Sequence, residues 1–179
     1  MTEYRRARTP GGCWFFTVAL AERHNNHLLV EHIDTLRKAF RYVKERHPFH
    51  IDAIVILPEH LHCIWTLPKG DTNFSTRWSL VKTAFSRALP SLERRTLSRV
   101  KRGERGVWQR RFWEHLVRDE EDCRRHVDYI HWNPVKHGWV DTVVDWPYSS
   151  FGQFVERGVY PVDWGGGAVS EIAVGEFGE

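Results

Sequence analysis

Residues 51–67 read IDAIVILPEHLHCIWTL, and the way this stretch divides sets the architecture. Residues 51–57 are nearly continuous in apolar side chains and rich in β-branched ones, the pattern of a well-buried strand. Pro58-Glu59 interrupts the run, and 60–67 resumes it as a second strand. Side chains alternate across a strand, so His60 and His62 share one face while Leu61, Cys63, Trp65 and Leu67 share the other. The second set is a core face. Two imidazoles therefore lie side by side on the opposite face of an otherwise apolar element.

Working outward, residues 13–20 (CWFFTVAL) are aromatic and β-branched and read as a strand. They follow a basic arm, 1–11, that ends at the Pro10-Gly11-Gly12 breaker. Asn25-Asn26 is a turn signal. Ile33, Leu36, Phe40 and Val43 recur at helical spacing, predicting a helix over 31–46 that Pro48 stops. Beyond the 68–71 turn, Trp78, Val81, Phe85 and Leu89 predict a helix over 75–89. A basic, glycine-punctuated connection follows at 91–106, then a strand over 107–117 (VWQRRFWEHLV). Asp119-Glu120-Glu121-Asp122 loads acid onto the start of a helix, where the macrodipole favours it. That helix runs past Tyr129 towards Asn133-Pro134, with Gly138 just beyond. The order strand, helix, strand, strand, helix, strand, helix predicts an α+β fold. It is a ferredoxin-like sandwich, one domain over 1–179, with helices packed on an antiparallel sheet.

Composition narrows the class. No run of eighteen apolar residues is present, and the first residues lack the apolar stretch of a secretory signal, so a membrane partner is not expected. Cys13, Cys63 and Cys123 are widely spaced with no C-x-x-C pair, which argues against a disulfide framework and a structural zinc site and favours a reducing cytoplasm. Charge is unevenly placed. Residues 77–111 hold eleven basic residues against Glu93 and Glu104, whereas the aromatic tail, 141–179, holds seven acids against Arg157 alone. A basic stretch beside an acidic tail points to a polyanionic partner, although a solvated basic helix and loop gives the same composition.

Two features carry chemistry. The His60/His62 pair is placed to chelate one divalent ion, with a solvated histidine face as the plain alternative. Cys63 points away and cannot join that ion. In Tyr129-Ile-His-Trp-Asn133-Pro134, Tyr129 and Asn133 sit one helical turn apart on one face. An amide oxygen there could supply a third ligand, while a phenol of ordinary pKa near 10 needs a nearby cation or base before it attacks anything. The plain alternative is a packing tyrosine and an Asn-Pro helix break.

Several blocks in order resemble the IS200/IS605-type tyrosine transposases, and among them the REP-associated tyrosine transposases, bacterial proteins tied to repetitive extragenic palindromes. The blocks are IDAIVILPEHLH (51–62), WSLVK (78–82), VWQRRFWEH (107–115), DYIHWNPVKHG (128–138) and WPYSSF (146–151). The resemblance implies a ferredoxin-like core with the histidine pair on a central strand. It implies that His60, His62 and Asn133 hold Mg²⁺ or Mn²⁺, and that Tyr129 attacks a DNA phosphodiester to give a 5′-phosphotyrosine and a free 3′-hydroxyl. The implied substrate is a single-stranded DNA hairpin, a REP-like palindrome, handled by a monomer or a homodimer. This chain has Pro58-Glu59 where Pro-Asn is commoner, which puts a carboxylate beside the histidine pair.

DNA contacts are expected from Arg77, Lys82, Arg87, Arg110 and Arg111, with Arg5, Arg6 and Arg8 reaching flanking bases or a groove. Trp108 and Trp113 are read as packing aromatics, with stacking on unpaired bases the alternative. The acidic tail is a candidate mask for the basic surface. A catalytically silent DNA-binding regulator of palindromic repeats remains an alternative function. A water-activating amidohydrolase barrel needs about 250 residues and further ligands, so it does not suit this length.

Overall fold

The computed structural model describes residues 9–91, 93 and 95–166. Four strands, β1 (Cys13–Ala19), β2 (His50–Ile56), β3 (His60–Thr66) and β4 (Trp113–Leu116), form one antiparallel sheet in the order β2-β3-β1-β4. This is the ferredoxin-like arrangement, and it makes β3 and β1 the two central strands. Thr17 stands directly opposite His62, and Ala19 opposite His60.

One face of the sheet carries the larger core. The amphipathic helix α2 (Ile33–Arg46), preceded by the short α1 (Leu28–Glu31), and α3 (Phe74–Ala88) cover it. There Trp14, Phe16, Leu61, Cys63 and Trp65 meet Phe40, Trp78 and Phe85. Trp65 and Trp78 stack with ring centroids 4.1 Å apart. The Asn73 side chain caps α3 by accepting from the Thr76 amide.

A single long helix, α5 (Glu120–Lys136), packs on the other face. Asp119 caps it by accepting from the Asp122 amide at 2.8 Å. Its first turn is acidic, as the macrodipole prefers. The helix does not stop at Asn133-Pro134. Proline removes only its own amide donor, and bonding resumes at His137 N–H to Asn133 O (3.0 Å), so helical structure continues to Lys136. Gly138 then takes φ +69°, the left-handed conformation that closes a helix.

Two expectations need correction. The 107–117 strand is interrupted: it pairs at Trp108, opposite Leu20, and again from Trp113, opposite Thr17. The longer segment between these pairings bulges outward and carries Arg110 and Arg111, both exposed. The 91–106 connection contains a short helix, α4 (Leu97–Lys101), which buries no residue and so leaves no apolar periodicity to read. After a 3₁₀ turn at Val143–Asp145, residues 146–150 run along the outer edge of β2, ahead of α6 (Phe151–Glu156). Ile56 N–H donates to Tyr148 O and Ser150 N–H to Ile54 O, both at 2.8 Å. The Ser150 hydroxyl accepts from Ile54 N–H, and the Trp146 indole donates to Ile56 O. Among the described residues no helix is long and apolar enough to cross a membrane.

Candidate metal and nucleophile site

The period-two alternation of β3 puts His60 and His62 on the face that α5 covers, with ring centroids 4.9 Å apart. Tyr129 meets the edge of the His62 ring at 5.3 Å, and His137, at the end of α5, meets His60 at 5.2 Å. Tyr129, Asn133 and His137 follow one another at four-residue spacing along one helix face. With the first beside His62 and the last beside His60, Asn133 lies between them, over the histidine pair. All the groups come from one chain. They are also deeply buried: Tyr129 is 4% exposed, His60 1%, and His62 and Asn133 0%.

Each histidine is oriented from behind. His62 Nδ1 and the Thr17 hydroxyl are 2.8 Å apart, a direct result of their facing positions on β3 and β1. His60 Nδ1–H donates to Glu59 Oε1 at 2.8 Å, and Arg23 donates to the same oxygen at 3.1 Å. Nδ1 of each ring is thereby engaged, which fixes the orientation of both imidazoles. Glu59 is thus the carboxylate behind His60. Burial alone would raise its carboxyl, but the hydrogen bond and charge of His60, with Arg23, hold it down at about 2. Two imidazoles, a buried amide and a supporting carboxylate fit a divalent ion, and nitrogen donors suit Mn²⁺ better than the oxygen-seeking Mg²⁺.

The phenol has its own cation. Lys136 Nζ donates to Tyr129 Oη at 2.9 Å and lies 4.8 Å from the ring centroid. An ammonium there favours negative charge on the phenolic oxygen. Sequence reading assigned no role to Lys136 or His137, although both lie in the quoted DYIHWNPVKHG block. Positions seven and eight residues after Tyr129, two helical turns on, were the available signal.

No protein-family model matches the chain. It is 49% identical, over 98% of its length and 98% of the relative's, to the REP-associated tyrosine transposase of Escherichia coli K12. The chain belongs to the REP-associated tyrosine transposases. A putative member from Haemophilus influenzae is 48% identical over 93% of this chain and 94% of its own. A solved REP-associated tyrosine transposase bound to a REP hairpin is 47% identical and superposes with a TM-score of 0.83, covering 100% of this chain and 98% of that one.

The basic residues of this family member divide into two groups. Arg77 does not face solvent. It is 4% exposed, and its guanidinium donates to the carbonyls of His47, Pro48 and Asn73 and to Asp71, so it locks the start of α3 to the end of α2 rather than offering itself to a phosphate. Arg105 is likewise spent on Glu93 and on the carbonyls of Ser86, Leu89 and Pro90. Arg87 and Arg102 are exposed along a cleft of about 560 Å³ that Lys82, Arg99 and Arg110 also line. Arg111 stands on the neighbouring bulge. Arg110 pairs with Glu104, and Lys82 donates to Gln109 O at 2.9 Å. Trp108 packs on Phe85 in the larger core and Trp113 against Phe15. Arg5, Arg6 and Arg8, and the acidic residues from 167 onward, lie outside the described residues.

Proposed function

We propose that the protein is a metal-dependent endonuclease and strand transferase that cuts and rejoins single-stranded DNA at REP-like hairpins through Tyr129. The observation that supports this most is Tyr129 meeting both the His62 ring and the Lys136 ammonium within a single chain. Tyr129 Oη attacks the scissile phosphorus, the bond from phosphorus to the 3′ oxygen breaks, and a 5′-phosphotyrosine forms. The phenolic proton is lost as the leaving 3′ oxygen gains one, so no net proton is consumed. Attack by a 3′-hydroxyl reverses the step and releases the tyrosine. Lys136 stabilises the phenolate before attack and again as it departs. His60, His62 and Asn133 would hold Mn²⁺ or Mg²⁺, whose charge when bound orients the phosphate and offsets charge developing on it. Glu59 and Thr17 fix the two imidazoles. The exposed arginines beside the 560 Å³ cleft, with Arg110 and Arg111, supply phosphate contacts for the hairpin. The relative solved with a REP hairpin supports this choice of nucleic acid.

Incubation with single-stranded DNA carrying palindromes from beside its own gene, with Mn²⁺, tests the reading on a denaturing gel. A covalent protein–DNA band is expected, falling by at least about 10³-fold in Tyr129→Phe while hairpin binding persists. An undiminished band in that variant overturns the assignment of the nucleophile. The burial of all four groups favours a second reading, a DNA-binding regulator that does not turn over. Hairpin binding by the wild-type protein with no covalent band in Mn²⁺ would select it.

A further inference from the structure

Where β4 meets the first turns of α5, three metal-ligating side chains converge that the site above does not use. His115 Nε2 lies 2.8 Å from one carboxylate oxygen of Asp122, and His126 Nδ1 lies 3.2 Å from the other. One ligand atom from each of the three residues falls within 4.8 Å of the other two. The two imidazoles stack with centroids 4.6 Å apart and planes inclined by 17°. The chain makes this grouping locally. Asp122 and His126 are one turn apart on α5, and the short connection from β4 brings His115 back over them. The Arg118 amide donates to Asp122 at 3.0 Å and holds the carboxylate in place. Asp122 and His126 are buried, while His115 keeps a partly exposed edge. The Phe15 ring separates this group from the β3 pair, with its centroid 4.7 Å from His126 and 5.6 Å from His62.

We infer that His115, Asp122 and His126 form a second divalent-metal site, selective for zinc-class ions. Two imidazoles and a carboxylate, with a fourth position left to water, is a zinc donor set, whereas Mg²⁺ and Ca²⁺ seek oxygen ligands. Bonds of about 2.0–2.1 Å place tetrahedral ligands about 3.3 Å apart, and the three ligand atoms already lie within 4.8 Å of one another, so a small inward movement of the side chains completes the set. The groups are chemically ready. Burial pushes the His126 imidazole below its ordinary value. Burial opposes ionisation of Asp122, but the hydrogen bonds from His115 and Arg118 outweigh it and hold the carboxyl down. Without metal, His126 Nδ1–H donates to the Asp122 backbone carbonyl at 2.7 Å. Binding exchanges that donation, and the one from His115 Nε2–H to the Asp122 carboxylate, for coordinate bonds by moving each ring proton to the other nitrogen of its ring. The ion ties β4 to the helix that carries Tyr129. It acts as a clamp, independent of whether the protein cleaves DNA.

Zinc counting tests this directly. Protein loaded with Zn²⁺ and dialysed is measured by plasma mass spectrometry, with circular dichroism confirming the fold of each variant. In a His60→Ala/His62→Ala background one zinc per chain is expected, falling to none when His115→Gln or His126→Gln is added. The rise in melting temperature on adding zinc disappears with it. If the background variant does not fold, the single substitutions carry the test: each lowers retained zinc by one per chain relative to wild type. Retained zinc that is unchanged by both glutamine substitutions in folded protein overturns the site.

Discussion

The two faces of the sheet are built from the same strands and do opposite work. The face under α2 and α3 is almost wholly apolar, with Trp14, Phe16, Trp65, Trp78 and Phe85 interlocked. The face under α5 buries His60, His62, Thr17, His126, Tyr129 and Asn133, each of which must be hydrogen-bonded or ligated to be tolerated there. β3 serves both, one alternate set of its residues to each side. The larger core secures the fold, and that security lets the second face carry titratable groups that cost stability.

Substitutions can break or sharpen this contrast. Trp65→Ala removes the 4.1 Å stack on Trp78 and leaves a cavity in the apolar face, so unfolding by urea should show a loss of about 3–5 kcal/mol. On the polar side, His131 of α5 is fully buried with Nε2 2.9 Å from Ser150 Oγ, and burial holds its pKa down at about 3. The unfolded chain takes up this proton first, near its ordinary pKa of about 6.5. Stability present above that pH is therefore lost progressively as pH falls towards 3, on the order of 3 kcal/mol by pH 4. Urea midpoints measured from pH 7 to 4 should fall more steeply for the wild type than for His131→Gln.

Glu59→Gln keeps the shape behind His60 but removes the carboxylate charge. Mn²⁺ affinity by calorimetric titration should weaken about 10–100-fold, with the melting temperature little changed. The smallest effect belongs to the surface. Arg87→Ala should reduce the slope of log affinity for a DNA hairpin against log salt by about 0.7–0.9 and leave cleavage of bound DNA intact. An unchanged slope would remove Arg87 from the DNA contacts.

Regular patterns carried most of the fold into the sequence. The period-two alternation of 60–67 told which side of the sheet each histidine occupies, and the acidic start of α5 marked a helix that brings Tyr129 and Asn133 over them. Nothing local could reveal that Arg77 finds its carbonyl partners about thirty residues upstream, at His47 and Pro48, because that contact exists only once α2 and α3 are packed. The bulge before Trp113 was hidden for a related reason: VWQRRFW alternates well enough to read as one strand, and only pairing with β1 shows that it does not stay in register. Lys136 and His137 escaped because Asn133-Pro134 looked like the end of the helix. Glu59 was visible as a departure, but its role depended on which way the carboxylate turned.

The strap at 146–150 has a consequence for how this molecule meets its own copies. By satisfying the amides and carbonyls of Ile54 and Ile56, it withdraws that part of the border strand from strand addition by another chain. A truncated form ending before Trp146 would present those groups bare on an apolar rim, ready to recruit a neighbour. The strap thus protects against aggregation as well as completing the packing of the sheet.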